Sequence, residues 1–210
     1  MDDEQYASYR LKQFEQYKIN PYPHHFKTDF NLSNFEETFN FLKNDEKDEA
    51  ILLRINGRVM LKRKSSKKLY FYTLSGNDTT IQIMISQNYY YDEEEFYQMT
   101  NIISRGDFIG VIGIPYRSKT GELSIIPRKM VLLSPCLKQL PKDIFDKNGK
   151  QLSVYHNKEQ RFRNRHLDWI LNSHRRNVLK TRSKIIRFIR NYFDERDFYE
   201  VETPTLNLIP

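Results

Sequence analysis

The stretch LYFYTLSGNDTTIQIMIS at residues 69–86 decides the fold, because it holds two strand patterns joined by turn residues. Residues 69–74 are rich in aromatic side chains, and residues 80–86 alternate between apolar and polar positions, which is typical of strands. The Ser-Gly-Asn-Asp run at 75–78 supplies the turn between them. The stretch therefore predicts two consecutive strands.

Working outward, residues 51–62 predict a strand before this pair, with Gly57 expected at a bulge or tight bend. Residues 91–104 predict a helix after it, and residues 108–114 and 123–133 predict two more strands. Three strands, one helix and two strands is the order of a five-stranded OB-fold barrel. A small α+β sandwich with the same element order is the alternative. We expect a mainly β fold with flanking helices.

Two helical segments precede the barrel. Residues 2–18 contain no Gly or Pro, carry apolar residues at helical spacing and end before Pro21 and Pro23, so they predict a helix. The capping-box pattern from Ser33 to Glu36 predicts a short helix through about Leu42.

The chain after the barrel changes character. Residues 138–150 read as a linker, and residues 181–195 predict a basic helix with one apolar stripe. A short strand at 198–203 is expected to follow and to stop at Pro204. The stripe consists of Ile185, Ile186, Ile189, Tyr192 and Phe193.

Composition narrows the function classes. The 210 residues include 34 Lys and Arg against 27 Asp and Glu, a net charge of +7 that favours a polyanionic partner. The single cysteine, Cys136, excludes an internal disulfide and a cysteine-based metal site. No secretory signal or bilayer-spanning stretch is evident, so we expect a soluble, cytoplasmic protein without membrane contacts.

Catalytic and phosphate-binding patterns are missing from this span. It has no Gly-x-Gly-x-x-Gly or Walker sequence, and its five histidines lack the HExxH spacing of a zinc site. We therefore expect no catalytic residue and no metal site here.

Nucleic-acid binding has better support. OB barrels stack bases on exposed aromatic side chains beside a basic groove. Phe71 lies between Tyr70 and Tyr72 and must face away from both. Phe71 is therefore either a platform for a base or a residue of the barrel core. The basic run KRKSSKK at 62–68 is either a solvated hairpin loop or an RNA contact. The RNA-contacting residues would be Arg63, Lys64, Lys67 and Lys68. The pattern does not choose between these alternatives. Gln82 and Glu122 are candidates for hydrogen bonds to base edges.

Several short motifs stand out along the barrel: GRV at 57–59, LYFY at 69–72, IQIM at 81–84, SRGD at 104–107 and KTGELSIIP at 119–127. Together they resemble the anticodon-binding domain of the lysyl-tRNA synthetase family. The run RFRNRHLDWI at 161–170 resembles the start of its catalytic domain. Residues 182–204, which end in FYEVETP, resemble motif 1 of class II aminoacyl-tRNA synthetases.

The resemblance implies roles for the candidate residues. Phe71 would stack on the central anticodon uridine, Gln82 and Glu122 would read anticodon bases, and Arg58 and Arg63 would lie near the anticodon loop. Motif 1 would form a homodimer interface. Its residues here are Arg182, Ile185, Ile186, Ile189, Phe193 and Pro204.

The resemblance also implies a domain plan: an N-terminal helical segment at 1–45, the OB-fold domain at 46–137, a linker at 138–155 and the start of a class II α+β catalytic domain at 156–210. The parent enzyme would be a lysine–tRNA ligase that uses ATP and Mg²⁺ to join lysine to tRNA(Lys). Motifs 2 and 3 are not in this span, so we expect a fragment that binds the anticodon stem-loop without catalysis and without a bound cofactor. A synthetase for aspartate or asparagine, a standalone single-strand-binding OB module and a structural dimerisation module are the rivals.

Overall fold

The computed structural model describes residues 2–76, 78–141, 144–145, 151–152 and 157–206. The chain divides into two compact units, Met1–Leu140 and Pro141–Pro210. The first contains a β barrel with flanking helices and the second contains a helical segment. The bounds of the four segments expected from the sequence stay predictions.

The barrel region consists of β1 (Leu53–Ser66), β2 (Leu69–Gly76), β3 (Thr79–Ser86), α3 (Glu93–Ile102), β4 (Phe108–Arg117) and β5 (Leu123–Ser134). The five strands close a barrel in the order β1-β2-β3-β5-β4. All neighbours are antiparallel except β3 and β5, which are parallel, and helix α3 lies between β3 and β4 in the chain. The predicted OB-fold architecture is thereby confirmed.

Strand β1 runs past its predicted end at Lys62. It continues to Ser66 because its backbone keeps pairing with β2, with Arg63 opposite Phe71 and Lys64 opposite Tyr70. The interpretation of residues 62–68 as a solvated hairpin loop is therefore wrong for most of that run. Pairing with β2 gives successive basic side chains opposite directions.

Gly57 does not mark a bulge. Its pairing with Ile109 of β4 lies within an uninterrupted register, and the irregularities of β1 fall between Val59 and Leu61 and between Lys64 and Ser66, in its pairing with β2. Gly57 is needed for close packing, because a Cβ there would lie 2.8 Å from both Leu74 Cγ and the Ser75 carbonyl oxygen.

The barrel core is filled from alternate positions of every strand. Ile55, Tyr72, Leu74, Ile83 and Val111 are fully buried, and Phe96 of α3 packs into the same cluster. Burial of this much apolar and aromatic surface is the main source of stability for the barrel.

Helix α1 (Asp3–Gln16), predicted at 2–18, is held to the barrel by a buried ion pair. Arg10 Nη2 lies 2.5 Å from Asp107 Oδ2, and both side chains are almost completely buried. Asp107 also accepts backbone hydrogen bonds from Ser104 and Cys136, each at 2.7 Å. Burial raises the pKa of Asp107, and the Arg10 guanidinium and the two amides oppose that rise.

The segment after α1 departs from its prediction. Residues Leu32–Asn34 form a 3-10 turn and only Phe35–Phe39 form an α-helix, α2. The prediction of a capping box at Ser33 is wrong. Asn31 provides the cap instead, and its Oδ1 accepts a hydrogen bond from the Ser33 amide at 3.2 Å. A capping box would pair the Ser33 amide with the Glu36 side chain, but the side chain of Asn31, two residues before Ser33, accepts from that amide instead.

The second unit contains α4 (Lys158–Arg163), α5 (Arg165–Leu171) and α6 (Ser173–Asp194). Helix α6 starts eight residues before the predicted helix at 181. A two-residue strand pair, β6 (Ile144–Phe145) with β7 (Gln151–Leu152), falls inside the predicted linker, whose other residues lie mainly outside the described part.

The strand predicted at 198–203 does not form. Within the described residues this segment has no β partner, and a strand without a neighbour leaves its backbone groups unpaired. It is tied to α6 by side chains instead: Arg190 Nη2 lies 3.0 Å from Glu200 Oε1, and the rings of Phe193 and Phe198 are 5.4 Å apart. Among the described helices of both units, none is both long and apolar enough to cross a membrane.

Candidate nucleic-acid interface

Phe71 faces outward from the barrel. Its neighbours Tyr70 and Tyr72 are 5% and 0% exposed and belong to the core, whereas Phe71 is half-buried on the opposite face of β2. The alternation of side chains along a strand puts these two sets on opposite faces. The interpretation of Phe71 as a barrel-core residue is therefore wrong, and its ring is available at the surface.

Arg63 covers part of that ring. The two residues are cross-strand partners, and Arg63 Cζ lies 4.9 Å from the centroid of the Phe71 ring. A guanidinium over an aromatic face is a favourable contact that also places a positive charge beside the ring. Phe71 and Arg63 together offer a base-stacking surface and a phosphate-attracting charge.

Gln82 and Glu122 are hydrogen-bonded to each other. Gln82 Nε2 donates to Glu122 Oε2 at 2.7 Å, and Gln82 Oε1 accepts from Ser124 Oγ at 3.2 Å. The second bond fixes which end of the amide points at the carboxylate. The parallel pairing of β3 with β5 brings the two side chains together, because it places Gln82 beside Ser124.

A groove of about 340 Å³ adjoins this pair. Its volume lies at the lower end of the range for small-molecule sites, a size that suits a single nucleobase. Thr73 of β2 lines it and is the cross-strand partner of Gln82. The other polar side chains along it come from four segments of the chain: Glu36, Asn40, Thr79, Thr80, Gln82, Arg117 and Glu122.

Sequence reasoning missed Asn40 and Arg117 in this groove. Arg117 donates from Nη2 to Asn40 Oδ1 at 3.0 Å and from Nη1 to the Gly121 carbonyl at 2.9 Å. These residues are far apart in the chain and belong to no shared motif. Only the folded barrel brings α2 against the loop before β5.

The basic run 62–68 is split by the pairing of β1 with β2. Lys62 turns inward and donates from Nζ to the Thr100 and Ile103 carbonyls, both at 2.6 Å, at the C-terminal end of α3. Burial lowers the pKa of Lys62 to about 8, with the positive charges of Arg10 and Lys64 adding to the effect. Lys62 therefore supports α3 and is not a surface cation.

The remaining cations of the run stay exposed, with Lys64 Nζ 5.5 Å from the Tyr70 ring and Lys67 and Lys68 where β1 turns into β2. Arg58 is engaged elsewhere: Nη1 donates to the Gly106 carbonyl at 2.7 Å, and its guanidinium lies 4.2 Å from the Phe108 ring centroid. Phe71, Arg63, Gln82 and Glu122 thus gather on the outer face, whereas Arg58 is tied into the barrel.

No metal centre is found in the part of the chain that the structure describes, since no group of three His, Cys, Asp or Glu side chains comes together there.

Helix α6 exposes its apolar stripe. Ile185, Ile189 and Phe193 are 54%, 48% and 47% exposed. A shallow depression of about 440 Å³ lies along the same face and is lined by Val178, Arg182, Ile185 and Ile186 among others. Large exposed apolar faces of this kind mark interaction surfaces.

Comparisons with known proteins agree with this architecture. Residues 53–133 match the family model of the OB-fold nucleic acid binding domain, and residues 157–209 match the model of class II tRNA synthetases (D, K and N). A lysine–tRNA ligase of Cladosporium cladosporioides is 38% identical over 195 residues, which are 90% of this chain and 31% of that protein.

Two further relatives have similar coverage. A probable cytoplasmic lysine–tRNA ligase of Vairimorpha ceranae is 32% identical over 212 residues, 100% of this chain and 38% of that protein. A lysine–tRNA ligase of Prochlorococcus marinus is 36% identical over 191 residues, 88% of this chain and 35% of that protein. The chain thus spans about a third of the length of these relatives. Along one chain, residues 53–133 are thus similar to OB-fold nucleic acid binding domains and residues 157–209 to class II tRNA synthetases of the D, K and N group.

Proposed function

We propose that the barrel recognises the anticodon of a lysine tRNA. The observation that carries this proposal is the outward-facing ring of Phe71 on the same face as the Gln82–Glu122 pair. The similarity to proteins named lysine–tRNA ligase supports lysine as the amino acid.

Phe71 acts as the platform for the central anticodon base. The base stacks on the exposed side of the ring, and the Arg63 guanidinium, 4.9 Å from the ring centroid, attracts the neighbouring phosphate. Stacking of a base on an aromatic side chain is worth about 1–3 kcal/mol. This contact supplies affinity and is tolerant of base identity.

Gln82 and Glu122 select the anticodon base by its hydrogen-bonding pattern. In the free protein they satisfy each other, with one N–H donor and one carboxylate acceptor side by side. The edge of a uracil base offers the complement, a carbonyl oxygen beside an imino N–H. An incoming uracil therefore exchanges one hydrogen bond within the protein for two with the base, and a base with another pattern leaves a donor or an acceptor unpaired.

The whole protein is proposed to be a lysine–tRNA ligase of the cytoplasm that works as a homodimer. ATP with Mg²⁺ would supply the activation of the lysine carboxylate in that reaction. The exposed stripe of α6, with Ile185, Ile186, Ile189 and Phe193, would pack against a second copy together with Arg182 and Pro204, because burying this surface is favourable.

The proposal is tested by measuring the affinity of the chain for lysine and aspartate anticodon stem-loops. The lysine stem-loop should bind more tightly, and Gln82→Ala should reduce that preference. Gln16→Ala is the matched control, since Gln16 is an exposed glutamine at the end of α1. Equal affinity for the two stem-loops contradicts the lysine assignment, and equal affinity for any single strand indicates a general single-strand binder.

A further inference from the structure

A second cluster of cations and an aromatic ring lies close to Phe71. Tyr89 ends a 3-10 turn after β3, Gln87–Tyr89. Lys47 Nζ lies 4.7 Å from the centroid of its ring, and Arg128 Cζ lies 5.4 Å from it. Arg128 also donates from Nη1 to the Tyr89 carbonyl at 3.1 Å, which fixes the guanidinium in place.

Met84 connects this cluster to Phe71. It is the cross-strand partner of Phe71 and shares its outward face. Met84 and Tyr89 both pack against a small apolar cluster on the outer side of the barrel, formed by Ile114, Tyr116 and Ile126. The outer side of the barrel therefore carries two aromatic rings, Phe71 and Tyr89, that are connected through Met84 and this buried apolar cluster, and each ring has a cation beside it.

The cluster has an excess of positive charge that is incompletely neutralised. Glu49 Oε1 lies 2.5 Å from Lys47 Nζ and 4.0 Å from Arg128 Nη2, so one carboxylate serves two cations. The side chains of Lys47 and Arg128 are 36% and 21% exposed, and that of Glu49 is 54% exposed. Two partly exposed cations with one exposed counter-ion form a site at which a phosphate can replace the carboxylate.

We propose that Lys47 and Arg128 contact the sugar–phosphate backbone of the same RNA strand whose base stacks on Phe71. The inference rests on the proposed function and extends its contact surface. Strands β2 and β5 are separated by β3, so the axes of these two strands are about 10 Å apart. Stacked nucleotides rise about 3.4 Å each, so about three nucleotides span that distance.

A purely structural role for the cluster predicts different behaviour. Residues 45–48 are already attached to the barrel by backbone bonds, including a bridge between Lys47 and Tyr116 and a 3.1 Å bond from the Asp48 amide to the Pro115 carbonyl. If Lys47 and Glu49 only reinforced this attachment, removing either charge would lower stability and leave RNA affinity unchanged. If they face a phosphate, the two changes have opposite effects on affinity.

The test compares Lys47→Ala and Glu49→Gln in the 210-residue chain, with a lysine anticodon stem-loop as the probe at several salt concentrations. Lys47→Ala should weaken binding and reduce the slope of log affinity against log salt by about 0.7, the loss of one phosphate contact. Glu49→Gln should strengthen binding about two- to fivefold, as expected for removal of one exposed counter-ion. Lys12→Ala, at an exposed lysine of α1, is the charge-matched control and should change neither quantity.

Unchanged affinity and salt slope in both variants, while Phe71→Ala still weakens binding, would overturn this inference and leave the proposed function standing. Unchanged binding in Phe71→Ala would remove the proposed function, and the inference would fall with it. Thermal unfolding of each variant establishes that it is folded, which the exposure of both side chains leads us to expect.

Discussion

Gln82 donates a 2.7 Å hydrogen bond to Glu122 across 40 positions of the chain, and Ser124 holds the other end of the Gln82 amide. The pair is at the surface of the barrel and next to the groove that Thr73 lines. Because both side chains are proposed to contact one base, their effects on RNA affinity should be coupled.

Gln82→Ala and Glu122→Ala should each weaken binding of the lysine stem-loop by about tenfold, since each removes a hydrogen bond of about 1–2 kcal/mol. The double variant should lose much less than the product of the two single losses. Titrations of the native chain, both single variants and the double variant with a labelled stem-loop measure this double-mutant cycle. Strict additivity would show that the two residues act on separate parts of the RNA.

The buried pair of Arg10 and Asp107 should be a main support of the N-terminal helix. Asp107→Asn leaves the guanidinium buried without its counter-charge and should cost about 3–5 kcal/mol in the free energy of unfolding. Urea unfolding followed by circular dichroism measures the loss. The exposed i,i+4 pair of Glu159 and Arg163 gives the control, because Glu159→Gln should cost less than about 0.5 kcal/mol. A cost below about 1 kcal/mol for Asp107→Asn would contradict the proposed support.

Lys62 should make stability depend on pH. Its pKa is lowered to about 8 from the usual 10.5, so between these values the unfolded chain binds more protons at this group than the folded chain. Stability contributed by such a group rises with pH across that window. We therefore expect the unfolding free energy of the native chain, relative to Lys62→Met, to increase from about pH 8 to pH 10. A difference that is constant with pH would show that Lys62 has its ordinary pKa.

The apolar stripe of α6 should drive self-association. Ile189→Asp introduces a charge on the stripe and should shift the sedimentation coefficient toward that of a monomer, because a charge in an apolar interface is strongly unfavourable. Asn191→Asp makes the same change in charge on the opposite face of the helix and should have no effect. Identical sedimentation of the native chain and Ile189→Asp at all concentrations would argue against this face as the interface.

The strands and their order could be predicted because alternation, turn residues and strand length are local properties. The 69–86 stretch predicted β2 and β3 to within about two residues at each end. The direction of Phe71 could not be predicted, since alternation relates it to Tyr70 and Tyr72 but does not say which set faces the core. Burial of the two tyrosines decides it.

Other features depend on contacts between distant segments. Lys62 and Arg63 look equivalent in the sequence, but their opposite directions follow from the register of β1 against β2, which is irregular after Val59. The strand predicted at 198–203 fails because local composition cannot supply a partner strand. The Lys47–Tyr89–Arg128 cluster joins three segments of the chain, and no sequence motif predicts it.

The central claim is that the outward-facing ring of Phe71 is the platform for the central anticodon base. A double-mutant cycle tests it directly, with Phe71→Ala in the protein and an abasic nucleotide at the central anticodon position in the stem-loop. Each change alone should weaken binding by about tenfold or more, given about 1–3 kcal/mol per stacked base. Combined, they should weaken it no more than one change alone. Losses that simply multiply would show that Phe71 and the central base do not touch, and would contradict the account.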